Sequence, residues 1–205
     1  QRKLDEALTD YQEALSINKS LGRLQDKALI LVNMAGIHRL QKRFDEALKQ
    51  IEEALEIYEN IGVWSIFAAS ARGLVFLDQN RFDNALENFQ QALETARERR
   101  NLRGVAYNLE LIARTFCAQG QLKKALETCQ QALKIAEQEK YIVERIRSLN
   151  TLCKIYCAQN QIEEALGYYQ QALDLAKQTK RIDLIEGVQE TYSVLEPKSK
   201  RKSSN

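Results

Sequence analysis

Four cysteines and one histidine are the residue types in this chain best suited to metal binding or nucleophilic chemistry. Cys153 and Cys157 are one helical turn apart, and Cys117 precedes Cys157 by one full sequence repeat. Three thiolates could therefore gather, but a structural zinc site needs four well-placed ligands, and the single His38 is far away in sequence. We expect no metal site, no cofactor, and reduced thiols that pack as small apolar side chains.

Motifs that mark enzymes are missing from the sequence. It contains no glycine-rich phosphate loop, no nucleophile elbow and no histidine-based metal motif. The glutamates of segments such as EEAL are typical of solvated helix faces that form ion pairs with lysines four residues away. We therefore predict that the chain is not an enzyme. His38 falls on an inward helix face, where we expect a hydrogen-bonded structural histidine.

One amphipathic pattern recurs five times along the chain. The copies begin with the apolar residues Leu4, Phe44, Phe82, Leu122 and Ile162, which are evenly spaced except that the step from Phe44 to Phe82 is shorter by two. Within each copy the apolar side chains fall at i, i+3, i+4, i+7 and i+11, which is one face of an α-helix. An alanine recurs seven residues after the first alanine of each copy, where a small side chain lets a neighbouring helix approach closely. The repeat predicts stacked helices.

The predicted elements form a single array over residues 1–197. It consists of a lone helix at 4–19, helix pairs at 26–60, 64–99, 102–138 and 142–179, and a capping helix at 182–195. Pro197 is expected to end the last helix, and the basic tail 198–205 is expected to be disordered. The lone first helix has an apolar face without a partner on its N-terminal side. We expect that a preceding segment covers this face or that it meets a second molecule, so self-association there is an open alternative.

Composition bounds the class of protein. Hydrophobic residues make up 44% and charged residues 28% of the 205 positions, and no run approaches the roughly 18 apolar residues of a membrane span. Four of the 30 basic residues lie in the last eight positions, so 26 basic residues face 28 acidic residues in the rest of the chain. This nearly neutral body disfavours a nucleic-acid partner, and we predict a cytoplasmic protein that contacts no membrane.

The repeats resemble the tetratricopeptide repeat family over residues 3–180, in its variety with repeats of about 40 residues. The resemblance rests on the small and aromatic positions of each first helix and on the paired alanines of each second helix. These positions are Ala35, Gly73, Ala113 and Cys153, then His38, Phe76, Phe116 and Tyr156, and pairs such as Ala47 with Ala54. It implies an all-α fold, a right-handed α-solenoid of antiparallel helix pairs, whose concave wall is lined by the first helices. The protein would act as a protein–protein interaction scaffold.

A second stripe on each first helix, rotated away from the core stripe, is expected to face this concave wall. This stripe is mainly apolar in the repeats of the N-terminal half of the chain and polar and basic in those of the C-terminal half. The pattern predicts a partner-binding site of Leu29, Val32, Arg39, Phe67, Ser70, Leu74, Leu77, Tyr107, Glu110, Arg114, Arg147, Asn150 and Lys154. We expect a protein or peptide partner with apolar groups against Phe67 and its apolar neighbours and acidic groups against the three cations. Neighbouring helices could instead cover the apolar positions.

Two departures from the family pattern leave alternatives open. The third repeat is two residues short, and Arg72 stands at a position that is apolar in the other repeats, so it is either a rim residue or a buried cation that needs a carboxylate. Phe67 and Ala71 occupy places where some family members carry the cations of a carboxylate clamp, which disfavours that mode. The chain could also be the regulatory, peptide-sensing region of a larger multidomain signalling protein. Nucleic-acid binding through the basic tail ranks below both functions.

Overall fold

The computed structural model describes residues 2–202, which form ten α-helices and no strand within this range. The helices are α1 (Arg2–Leu21), α2 (Leu24–Leu40), α3 (Phe44–Asn60), α4 (Ile66–Asp78), α5 (Phe82–Glu98), α6 (Leu102–Ala118), α7 (Leu122–Gln138), α8 (Ile142–Ala158), α9 (Ile162–Thr179) and α10 (Ile182–Lys202). Along this described part of the chain, none of the helices is both long enough and apolar enough to cross a membrane.

The chain divides into two compact units, Gln1–Thr95 and Ala96–Asn205. In the first unit, α2 packs against α1, α3 and α4. In the second unit, α6, α8 and α10 are successive neighbours, and α7 and α9 pack against the helices on either side of them in sequence. Helix pairs thus stack within each unit as the repeat predicts. The continuity of a single array over residues 1–197 stays a prediction.

Every turn between the described helices is built around one residue in the left-handed backbone region. These residues are evenly spaced except at the shortened repeat: Gly22, Lys42, Gly62, Asn80, Arg100, Gly120, Lys140, Asn160 and Lys180. In the seven turns from Lys42 to Asn160, the residue that follows donates its amide to the carbonyl five positions before it, as Tyr141 N–H does to Ala136 O at 2.8 Å. A side chain with a Cβ is strained in this region, so lysine or arginine at four of these turns lowers the stability of the fold.

Lys140→Gly is expected to raise the free energy of unfolding by about 1 kcal/mol, because glycine adopts the left-handed conformation without a Cβ clash. Lys134→Gly is the matched control, since Lys134 is exposed within α7 and glycine there should lower stability by about 1 kcal/mol. Urea unfolding of both variants measures the two effects. Equal losses of stability would show that the turn at Lys140 carries no backbone strain.

Alanines and one glycine allow the helices to approach closely. Both alanines of each second helix are fully buried from α3 to α9, as the repeat pattern predicts. In the first unit, the missing side chain of Gly73 on α4 makes room for the ring of Phe89 on α5: a Cβ at Gly73 would lie 2.5 Å from Phe89 Cε1. Phe89 itself has no exposed surface. This contact explains why the small position of the first helix is glycine in the shortened repeat.

The last helix differs from its predicted form. We expected it to end at residue 195, before Pro197, and residues 198–205 to be disordered, but α10 continues to Lys202. Proline removes one intrahelical hydrogen bond and often kinks a helix, but a helix already nucleated over several turns can propagate past it. Residues 203–205 of the predicted tail lie outside the described residues. The buried face of α10 includes Leu184 and Thr191, whereas Tyr192 is 39% exposed.

Candidate partner-binding surfaces on the first helices of the repeats

In the first unit, the structure exposes only part of the predicted apolar surface. Leu29 on α2 is 45% exposed and Phe67 on α4 is 47% exposed, while Leu74 on α4 is half-buried. Because α2 and α4 are neighbours, these side chains lie on adjacent helices of the same unit. They form what we call the apolar surface, defined by Leu29, Phe67 and Leu74.

Three other predicted site residues of the first unit do not face solvent freely. Val32 is buried in a cluster with Tyr58 and Ala68, Leu77 is 8% exposed, and the buried Ser70 hydroxyl donates to the Ile66 carbonyl at 2.8 Å. These positions lie nearer the contact between neighbouring helices than the helical periodicity alone indicates, so the prediction that they contact a partner was wrong.

Arg39 is engaged in an ion pair. Its Nη1 lies 2.6 Å from Asp78 Oδ2, and the two side chains are 21% and 33% exposed. This ion pair links α2 to α4 across the stack. An acidic group of a partner could bind Arg39 only by competing with Asp78. Arg39 therefore connects α2 to α4 through its ion pair and does not present a free charge.

The second unit carries a group of polar side chains on α6 and α8, which we call the basic cluster: Tyr107, Arg114, Arg147, Asn150 and Lys154. The Arg147 guanidinium lies over the Tyr107 ring, 4.9 Å from its centre. Arg114 and Arg147 are half-buried, and Lys154 is exposed. The cation over the ring joins the faces of the two helices and fixes the orientation of the tyrosine.

Glu110 lies beneath the basic cluster rather than at its surface. The residue is 3% exposed, and its Oε1 accepts a hydrogen bond from the Thr151 hydroxyl at 2.6 Å. Arg114 Nε is 3.9 Å from the same oxygen. The predicted contact between Glu110 and a partner was therefore wrong, because the turn of α6 directs this side chain into the α6–α8 interface.

Two buried oxygen atoms near the basic cluster have no hydrogen-bond partner among the described residues: Glu110 Oε2 and Asn150 Oδ1. The Asn150 amide also donates a long hydrogen bond of 3.4 Å to the Gly187 carbonyl of α10. Buried polar atoms are normally paired, so both oxygens are unsatisfied acceptors that solvent does not reach. The Asn150 side chain thus lies between α8 and α10, with its amide nitrogen hydrogen-bonded and its amide oxygen without a partner among the described residues.

Lys154 occupies a crowded position although solvent reaches its side chain. The surrounding protein atoms lower the pKa of the Lys154 ammonium, and the nearby Arg114 guanidinium lowers it further, while Glu110 opposes them. The Lys154 side chain is therefore exposed but close to the protein atoms of α6 and α8. Within residues 2–202, the structure pairs neither Lys154 nor Arg147 with a carboxylate.

Arg72 and His38 are both held by neutral side chains. Arg72 is half-buried and its Nε donates to Asn88 Oδ1 at 2.6 Å, so it is neither a free rim residue nor a cation paired with a carboxylate. His38 is 7% exposed, and its Nδ1 lies 2.9 Å from Gln50 Oε1. His38 is therefore the hydrogen-bonded histidine predicted from the sequence.

All four cysteines are free thiols, and three of them are buried. Among the described residues, no group of three or more His, Cys, Asp or Glu side chains could hold a metal ion. Cys129 donates a weak hydrogen bond to the Ser148 carbonyl at 3.3 Å, and Cys153 and Cys157 pack with Ala165 and Leu195. The predictions that the chain is not an enzyme and has no cofactor stay predictions.

Sequence reasoning missed Thr151, whose hydroxyl holds Glu110. It lies one position beyond Asn150 on the core side of α8, where a threonine is indistinguishable by pattern from an ordinary small core residue. A buried glutamate on a neighbouring helix gives no sequence signal of its partner either. Only the packing of α6 against α8 brings the two groups together.

The tetratricopeptide repeat family model matches residues 1–60, 26–98, 65–138 and 103–178. Three similar solved structures are a Rap protein complexed with Competence and Sporulation Factor, aspartyl phosphate phosphatase F from Bacillus subtilis, and NprR in complex with its cognate peptide NprX. Their sequence identities to this chain are 17%, 16% and 18%, and their TM-scores are 0.79, 0.76 and 0.67.

The alignments cover 97%, 99% and 96% of this chain but 61%, 56% and 62% of the three structures, so the chain spans little more than half their length. A comparison with curated proteins finds no match. At these identities the structural likeness establishes the fold, which confirms the predicted all-α solenoid class. Together with four overlapping matches to the family model, the regular repeat and the buried alanine pairs show that the chain belongs to the tetratricopeptide repeat family.

Proposed function

We propose that the chain is a protein-interaction scaffold whose first helices bind a partner peptide or helix that carries acidic groups. The observation that supports this most directly is the charge of the basic cluster. Arg114, Arg147 and Lys154 lie on two neighbouring helices, and within residues 2–202 only Arg114 lies within ion-pair distance of a carboxylate, that of the buried Glu110. Such an excess of positive charge attracts anionic groups.

The chemistry of the basic cluster favours a polypeptide over a simple anion. The three cations attract carboxylates. The Tyr107 ring adds apolar area beneath Arg147. A segment with acidic and apolar groups matches both features, and a small inorganic anion matches only the charge.

The apolar surface of the first unit supports the same kind of function independently. Leu29 and Phe67 expose nearly half of their area on adjacent helices. Exposed apolar side chains of this size, when they lie close together, are typical of surfaces that contact other proteins. The apolar surface and the basic cluster each provide a separate place for contact.

Selection from a random peptide library, followed by calorimetry, tests the proposal. Peptides enriched in Asp and Glu should be selected, and their affinity should decrease as salt rises. Lys154→Gln should weaken binding about tenfold, because one charge contact near a crowded surface is lost. Lys134→Gln is the matched control, since it removes the same charge from the exposed face of α7. Equal affinities for the two variants, or selected peptides without acidic residues, would refute the role of the cluster.

A second candidate is the regulatory, peptide-sensing region of a larger signalling protein. It is favoured by the coverage of the structural matches, since the chain spans little more than half of two proteins solved with a peptide or factor bound. An antibody raised against this region would reveal the mass of the natural polypeptide. A mass well above 23.6 kDa supports the sensor, and a mass near this value supports the scaffold alone.

A further inference from the structure

The shortened repeat leaves a cleft in the first unit. Helix α4 has 13 residues, whereas α2, α6 and α8 have 17, and the connection that precedes it spans residues 61–65. Four missing residues correspond to about 6 Å of helix. The C-terminal end of α3 therefore loses the cover that a full-length first turn of α4 would give. A cleft of about 440 Å³ opens there, lined by Leu55, Tyr58, Glu59, Gly62, Val63, Trp64 and Ser65.

The walls of this cleft are mainly apolar and aromatic. Trp64 is 38% exposed, Leu55 and Val63 are half-buried, and Tyr58 is 6% exposed. The cleft is large enough for an amino-acid side chain or a small aromatic molecule. An indole in such a position provides a face that attracts cations as well as apolar groups.

The polar groups of the cleft select the charge of the occupant. The Ser65 hydroxyl oxygen is already engaged, because it accepts the Ala68 N–H at 3.2 Å and caps α4. Of the described residues that line the cleft, Glu59 is the charged one, and it is exposed. A carboxylate beside an indole and a phenol ring complements a cation on an apolar stem and repels an anion.

The surface of α3 around the cleft reinforces this selection. Glu52, Glu53 and Glu56 are exposed on the same helix as Glu59, and one of them, Glu53, pairs with Lys27 at 2.7 Å. The local potential is therefore negative, in contrast to the basic cluster of the second unit. The two surfaces of this chain differ in the charge of the group they would bind.

We propose that the cleft of Tyr58, Glu59 and Trp64 binds an organic cation carried on an apolar stem. Both a basic side chain of a polypeptide and a free arylalkyl amine, which is protonated at neutral pH, have this chemistry. The site is separate from the basic cluster, so it can exist whether or not the basic cluster binds acidic peptides.

The test uses Trp64 as its own reporter, because it is the only tryptophan in the chain. Benzylammonium, benzyl alcohol and benzoate share one ring and differ in charge. Benzylammonium should cause a saturable change in tryptophan fluorescence, benzyl alcohol should bind more weakly, and benzoate should not bind. N-acetylarginine amide distinguishes the sources: tighter binding than benzylammonium indicates a polypeptide side chain, and weaker binding indicates a free amine, and both results support the site.

Two charge-neutralising variants on α3 separate the cleft from the general potential. Glu59→Gln should weaken benzylammonium binding about fivefold and leave the affinity for benzyl alcohol unchanged. Glu56→Gln removes the same charge from the same helix outside the lining and should change both affinities little. Both side chains are exposed, so both variants should fold, which circular dichroism confirms. No saturable change with benzylammonium, equal affinity for all three probes, or equal effects of the two variants would overturn the proposal.

Discussion

Phe89→Ala is expected to lower the free energy of unfolding by about 3–5 kcal/mol. Phe89 is the largest side chain without exposed surface among those described, and its ring fills the space left by the missing side chain of Gly73. Removing the ring leaves a cavity where α4 and α5 meet, and both helices lose this close contact. Equilibrium unfolding in urea, followed by far-ultraviolet circular dichroism, measures the loss.

The partner substitution gives the same contact an internal control. Gly73→Ala places a Cβ 2.5 Å from Phe89 Cε1 and should lower stability by about 1–3 kcal/mol, although alanine is the better helix former. Gly36→Ala is the matched control, since nothing lies within 4 Å of its added Cβ, and it should stabilise α2 slightly. In a Phe89→Leu background, Gly73→Ala should lower the free energy of unfolding by less than it does in the wild-type protein. An unchanged cost would show that the ring is not what excludes the methyl group.

Cys153 is expected to react with alkylating reagents about a thousandfold more slowly in the folded protein than in the unfolded chain at pH 8. Burial, together with the neighbouring Cys157, raises the pKa of the Cys153 thiol from 9.0 to about 12. Since the thiolate is the reactive form, a rise of this size leaves about a thousandfold less of it. Pulsed iodoacetamide labelling, read by mass spectrometry with and without guanidinium, measures the ratio at each cysteine. Equal rates in both conditions would contradict the buried, inert role.

The same pKa shift gives a direction for stability against pH. The folded protein holds the proton on Cys153 more tightly than the unfolded chain, so this group's contribution to stability is complete below pH 9.0. It is lost progressively as the pH rises towards about 12, because the unfolded thiol ionises first. The pKa of the Cys129 thiol changes in the same direction, because burial raises it well above its ordinary value. The urea concentration at the midpoint of unfolding should therefore decrease as the pH rises above 9.0.

The two candidate sites differ in how far the sequence could reveal them. Arg114, Arg147 and Lys154 were predicted from helical periodicity, because a stripe at i, i+3, i+7 and i+10 specifies a direction from the helix axis. The cleft around Trp64 was not predicted, because a repeat that is two residues short does not reveal which helix or turn lacks the residues. The structure shows that the first turn of α4 is the part that is missing.

The sequence by itself determined the helices, their pairing and the family, because a regular period with fixed apolar and alanine positions permits little else. Periodicity gives a side chain's direction on its own helix, but it does not give the distance to the next helix. Only the tertiary structure therefore decided that Val32, Ser70, Leu77 and Glu110 lie inside the stack while Leu29 and Phe67 remain outside. Burial depends on how closely neighbouring helices approach, and that distance is set by contacts between two helices, such as that of Gly73 with Phe89.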